Sequence, residues 1–185
     1  MGTHSLKLHP ATGWYPNDKM VYPIYKKCAE AGIRVNFHTG PFYYPLKSKY
    51  CHPMYLDNVA VDFPELTVHC THAVDLLFMD IVALARVRKN MVLDLGVWQV
   101  WLRGSRSTAI SFYKNVRFMM DIVGPRLIFG SDWSALVDDT PYHEWIKAFT
   151  EIPVWVKEAG IEFSQDEIDG FLGNNSVKLL HLDSK

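Results

Sequence analysis

The residues with chemical potential in this sequence sit at the ends of short apolar runs. Ser5–His9 closes on Lys7-Leu8-His9, Ile33–His38 on His38, Leu66–His72 on His72, and Arg126–Asp132 on Asp132. Imidazole nitrogen and carboxylate oxygen are the donors that suit zinc or a similar divalent ion. The same groups accept and release protons near neutral pH. A histidine that closes a strand also serves as an ordinary hydrogen-bonded loop residue. The case for chemistry therefore rests on several such ends converging, not on any one of them.

Convergence requires elements that bring those ends together. A fifth apolar run, Met91–Leu95, joins the other four. Helical patterning lies between or after them, over 22–30, 76–88, 110–123 and 144–159. Strand-length runs alternating with helical stretches predict βα units and a parallel sheet, whose strand carboxyl ends form the functional face. Turn signals fall where these units need them: Gly32 beyond the first helix, and Gly124-Pro125 between the third helix and the last run. A spacing of about 25–35 residues per strand is that of one unit in a (β/α)8 barrel of about 250 residues. The 185 residues fit a single domain, 1–185, with a sizeable core, yet hold only five such units.

Composition narrows the partners. Lys+Arg 19 against Asp+Glu 20 leaves a formal net charge of -1, so no electrostatic case exists for nucleic acid or an anionic membrane. The most apolar stretch, around 78–85, is interrupted by Asp80 and falls well short of the ~20 residues of a membrane span. Lys7, His9 and Pro10 argue against a signal peptide, and Leu6 departs from the myristoylation pattern. Cys28, Cys51 and Cys70, without C-x-x-C spacing, read as reduced thiols, which gives a cytoplasmic expectation.

Read in order, the motifs resemble the amidohydrolase-related family, which includes the aminocarboxymuconate-semialdehyde decarboxylase-like enzymes. The resemblance is carried by Lys7-Leu8-His9-Pro10, Pro16-Asn17-Asp18, Tyr22-Pro23-Ile24-Tyr25 and Cys28-Ala29-Glu30-Ala31-Gly32-Ile33. It continues through Phe37-His38-Thr39-Gly40, the stretch from Leu56-Asp57-Asn58 to Pro64-Glu65-Leu66, Thr71-His72-Ala73, Leu93-Asp94-Leu95, Gly130-Ser131-Asp132-Trp133 and 174–180. It implies a distorted TIM barrel with a mononuclear metal site at its C-terminal face, the chain corresponding to about strands 4–8. His38 then resembles a metal ligand. His72 resembles the acid/base or polarising histidine. Asp132 resembles the aspartate that binds metal and orients or deprotonates the attacking water. Lys7 and His9 resemble substrate-contacting groups, though His9 is equally a packing residue fixed by Pro10.

The resemblance implies a metal-dependent hydrolase acting on a small carboxylic or aromatic-derived substrate, with a divalent metal, zinc by preference. Decarboxylation uses the same residues, and a non-catalytic remnant or interaction module is a further reading. The family's His-x-His pair is absent, since no two of the eight histidines are separated by a single residue. That departure leads to the expectation of a homo-oligomer, or of a separate N-terminal half that completes the site. His69, three residues before His72, is expected on the opposite face of its strand.

Aromatic residues supply candidate walls. Trp98, with Trp101, follows the run Met91–Leu95 and reads either as a substrate-binding residue or as helix-to-barrel packing. The loop 41–53, with Phe42, Tyr43, Tyr44 and Tyr50, is long for a βα connection and suits a lid. Its Lys47 and Lys49 either meet an acidic substrate or are simply solvated. Trp133 reads as packing around Asp132.

Overall fold

The computed structural model describes residues 3–136, 138 and 140–180. The chain divides into two compact units, Met1–Asp94 and Leu95–Lys185.

In the first unit, four strands alternate with three helices: β1 (Ser5–Leu8), α1 (Tyr22–Glu30), β2 (Arg34–His38), α2 (Met54–Asp62), β3 (Val68–Thr71), α3 (Phe78–Val87) and β4 (Met91–Asp94). The strands pair in parallel and in chain order. One row of the register runs Phe37, Cys70, Leu93, and a second runs Lys7, Asn36, His69, Val92. Because side chains alternate along a strand, Val35, Phe37, Val68, Cys70, Met91 and Leu93 share one face, and all are fully buried. The Tyr25 ring of α1 meets Phe37 edge-on at 5.6 Å, which identifies this as the helix-covered face. The opposite face carries Arg34, Asn36, His38, His69, Thr71 and Asp94, an unusually polar set for a sheet.

Local signals explain most boundaries. Pro23 stands in the first turn of α1, and Gly32 ends the helix at φ 65 while the Ile33 amide returns to the Cys28 carbonyl at 2.8 Å. The Asn90 amide closes the end of α2 and the following turn by donating to the carbonyls of Ala60, Phe63 and Leu66 at 3.0–3.1 Å. Helix α2 was not among the stretches predicted from periodicity. Its buried Leu56, Val59 and Ala60 have helical spacing, but the exposed Met54 and Val61 blur the pattern.

The second unit holds the 3-10 turn Trp98–Arg103, α4 (Arg106–Val123), β5 (Leu127–Ile128), α5 (Tyr142–Thr150), α6 (Val154–Glu158), α7 (Gln165–Asp169) and α8 (Asn175–Leu179). Helix α4 begins on Ser105, whose hydroxyl accepts the Thr108 amide, and ends at Gly124 with φ 53. The helix expected over 144–159 is two helices, because Pro153 cannot continue α5 and instead starts α6. The core here is aromatic: Phe112, Trp145, Phe149 and Phe171 are all essentially inaccessible, with ring centroids 4.6–6.0 Å apart along the chain of contacts. Together the elements make an α/β fold built from βα units, the succession of a partial (β/α)8 barrel. No described helix is long and apolar enough to cross a membrane.

Candidate functional site

The carboxyl ends of β1, β2 and β3 bring three histidines together. His9, just past β1, stacks on His38 at the end of β2, with centroids 4.3 Å apart and planes within 16°. His72, the first residue after β3, meets His38 edge-on at 4.8 Å. Phe42 closes one side, with its ring edge-on to both His9 and His38 at 4.8 and 4.9 Å. Parallel pairing makes this grouping inevitable: Leu8 pairs with Phe37 and His38 with Thr71, so the residues that follow each strand meet at one edge.

His38 is the pivot. It is 6% exposed, and its ring hydrogen-bonds the Pro41 backbone. Proline has no N–H, so the Pro41 carbonyl accepts and the imidazole donates. Nε2 is buried without a hydrogen-bond partner among the described residues, which puts the proton on Nδ1 and leaves a lone pair at Nε2. Burial, then electrostatic interaction with the neighbouring His72, His9 and Lys7, pushes the His38 pKa down to about 3. A neutral imidazole with an unused nitrogen is the form that ligates a metal. Burial and then Lys7 also lower the pKa of His9.

Lys7 reaches across the sheet to donate to Thr71 Oγ1, and Thr71 in turn donates to the Phe37 carbonyl at 2.7 Å. The backbone at the end of β3 is unusual. His72, Ala73, Val74 and Asp75 all have positive φ, at 71, 41, 63 and 51°. Such conformations cost non-glycine residues of order 1–3 kcal/mol each and concentrate at functional sites. Gly40, at φ 96, lets this segment approach: a Cβ there would stand 3.3 Å from the Val74 carbonyl carbon and oxygen.

Asp94, at the end of β4, was given no role by the sequence. It is 5% exposed and lies with Oδ2 2.8 Å from His69 Nε2, while Oδ1 accepts the His72 backbone N–H at 3.0 Å. Burial alone would raise its pKa. The hydrogen bond and charge of His69, with help from His72, overcome that and hold the carboxyl well below the usual carboxylate range. The available signal was a lone acid inside the apolar run Met91–Leu95. His69 thus spends its Nε2 on Asp94 and sits one layer down the strand from the histidine cluster.

The remaining candidates lie in the second unit. Asp132 follows β5 at φ 50, in a loop pinned by Gln99 Nε2 donating to the Ser131 carbonyl at 2.8 Å and Trp145 Nε1 to the Gly130 carbonyl at 2.9 Å. Trp98 is fully buried, stacked on Trp101 at 5.4 Å, so a substrate-wall role has no accessible surface to act through. Trp133 is 67% exposed rather than packed around Asp132. In the 41–53 loop, Tyr43 and Tyr44 are open to solvent, whereas Phe42 turns inward onto the histidines.

Among the described residues no three His, Cys, Asp or Glu side chains gather as a ready metal centre. His38 Nε2 nevertheless fits one ligand position, and the surrounding Lys7, His9 and His72 present positive or proton-donating groups to whatever lies beside it.

Comparison with known proteins gives this arrangement a context. An amidohydrolase family model matches residues 2–182. No curated protein matches the sequence. Among solved structures, an uncharacterised TIM-barrel protein of Bordetella bronchiseptica is similar at TM-score 0.73 and 24% identity, over 98% of this chain and 58% of its own. An amidohydrolase of Burkholderia multivorans is similar at TM-score 0.68 and 15% identity, over 96% of this chain and 64% of that one. A 4-oxalomesaconate hydratase of Rhodopseudomonas palustris is similar at TM-score 0.62 and 18% identity, over 96% of this chain and 56% of that one. The chain therefore spans between 56% and 64% of the length of these three structures.

Proposed function

The chain belongs to the amidohydrolase family, and from that premise we propose that it carries part of the active site of a metal-dependent hydrolase acting on a small carboxylate. The observation that supports this reading is the buried, unpartnered Nε2 of a neutral His38, ringed by His9, His72 and Lys7.

In this reading His38 would be one ligand of a divalent cation, zinc by preference, with Asp132 the second ligand that the family resemblance implies. Bound there, such an ion supplies Lewis acidity and lowers the pKa of water towards neutrality. Asp132 accepts a proton from the attacking water. His72 polarises the substrate carbonyl or protonates the leaving group, its backbone held in place by Asp94. Lys7 and His9 bind the substrate carboxylate, and Lys7 is already aimed along the strand ends by its hydrogen bond to Thr71. The same pair, Lys7 as cation and His9 as hydrogen-bond donor, supports a second reading, decarboxylation, in which they grip the carboxylate that is lost.

Two further ligands, the role of the family's His-x-His, come in this reading from outside these 185 residues, through self-association or from an N-terminal half. Unmet polar atoms on the polar sheet face support a covering partner. Arg34 Nε and Nη1, Asn36 Oδ1 and His69 Nδ1 are buried without hydrogen-bond partners among the described residues.

Zinc titration by calorimetry tests the reading. We expect submicromolar affinity that is lost on His38→Ala or Asp132→Ala, with a light-scattering mass reporting any self-association. No heat at millimolar zinc overturns it.

A further inference from the structure

Of the three rings that meet His38, one is held far more lightly than the others. His9 belongs to the end of β1, where its carbonyl accepts the Thr12 amide at 3.2 Å and the Thr12 hydroxyl at 2.8 Å. His72 is buried, and its backbone N–H is held by Asp94. Phe42 stands four residues beyond β2 on a loop, edge-on to His38 at 4.9 Å, and is 39% exposed.

The base of that loop is tied and its tip is not. The Gly40 N–H donates to the Cys51 carbonyl at 3.2 Å, and the Lys47 N–H to the Ala11 carbonyl at 3.0 Å. At the tip between these ties, Tyr43 and Tyr44 are open to solvent. The Phe42 backbone is hydrogen-bonded, among the described residues, to Ser48 alone. Its N–H donates to Ser48 Oγ at 2.9 Å, and the same hydroxyl donates to the Phe42 carbonyl at 3.3 Å. Ser48 is itself exposed, so water can take over both bonds at little net cost. One hydroxyl thus decides whether Phe42 rests on the histidines.

We propose that Phe42 is a gate over the histidine cluster, latched shut by the Ser48 hydroxyl. When the latch lets go, the flap 41–46 turns outward on its tied base, the ring leaves His38 and His9, and His38 becomes accessible from the loop side. Closed, the ring keeps water from the cluster; open, it admits a cation or a substrate carboxylate. The gate's purpose rests on the metal reading above, whereas the gating of access to His38 is measurable with no metal present.

Diethyl pyrocarbonate, which acylates the unprotonated nitrogen of an imidazole, is the probe. It is applied to the full chain without added metal and read histidine by histidine by peptide mass spectrometry. His143, exposed in the second unit, is the reference for free reactivity, and His69, buried and outside the ring cluster, reports global unfolding. In the parent, His38 should react at least about ten-fold more slowly than His143. Ser48→Ala should speed His38 about five-fold, the worth of one hydrogen bond, and Phe42→Ala should speed it further. Ser48→Thr keeps the hydroxyl and should match the parent, and His69 should be unchanged throughout. Circular dichroism and a thermal melt establish that the variants are folded; if Phe42→Ala is not, the exposed Ser48→Ala carries the test. Stopped-flow zinc uptake should follow the same order, and absence of zinc binding overturns the metal reading while the acylation rates still decide the gate. A parent His38 as reactive as His143, a His38 rate indifferent to the folded variants, or an acceleration shared equally by His69 overturns the proposal.

Discussion

Asp94 Oδ2 lies 2.8 Å from His69 Nε2, and both side chains are at least nine-tenths buried. The other oxygen of the same carboxylate holds the backbone N–H of His72, so one buried anion ties the ends of β3 and β4 together beneath the histidine cluster. Removing one member of a buried pair leaves the other uncompensated. Asp94→Asn and His69→Leu should therefore each lower stability by about 3 kcal/mol, read from urea unfolding. The double variant should cost clearly less than the sum, because the second change removes a group already stranded. Additive costs would show that the pair does not act as a unit.

Gly40 should not tolerate a side chain. Its φ of 96° disfavours any L residue, and a Cβ would press at 3.3 Å on the Val74 carbonyl group. Gly40→Ala should cost about 1–3 kcal/mol. The same variant should also weaken zinc binding, since Gly40 sits two residues beyond His38. A melting temperature unchanged from the parent would contradict the close packing of these two loops.

Acid sensitivity should trace in part to Glu167. Its side chain accepts from Arg117 Nη1 and Nη2 at 2.8 and 2.6 Å and, within the capping box of α7, from the Ser164 amide. The Arg117 hydrogen bonds come first in holding its pKa down to about 2. A depressed carboxyl stabilises the fold above its unfolded pKa of about 4.3 and loses that contribution as pH falls towards 2. Glu167→Gln should thus melt lower than the parent at pH 7, and the gap should shrink steadily as melts are run from pH 5 to pH 2. A gap independent of pH would assign the effect to packing.

Asn90 donates one amide group to three carbonyls that close the turn between α2 and β3. Asn90→Ala should strand those acceptors and cost about 1–3 kcal/mol, with hydrogen exchange accelerating first at the end of α2. Uniform acceleration across the first unit would instead indicate global destabilisation.

The elements that rest on near neighbours were legible in the sequence. Short apolar runs marked β1 to β4 to within two residues, whereas β5 covers only Leu127–Ile128 of the run expected over 126–132. Gly32 and Gly124 marked helix ends, because a left-handed residue after a helix is a local preference. Pro153 carried the information that 144–159 is two helices, and periodicity alone passed over it.

What the sequence by itself determined, then, was the succession of βα units and the set of polar residues at their ends. It could not show that His9 stacks on His38, twenty-nine positions away, since that contact exists only once β1 and β2 pair in parallel at one register. Nor could it show that Asp94 anchors His69 and His72, or that Trp98 is fully buried against Trp101. Helix and strand preferences are written in residues a few positions apart. The neutral state of His38 and the charge on Asp94 depend on burial and on partners brought from distant segments, and only the tertiary fold decides those.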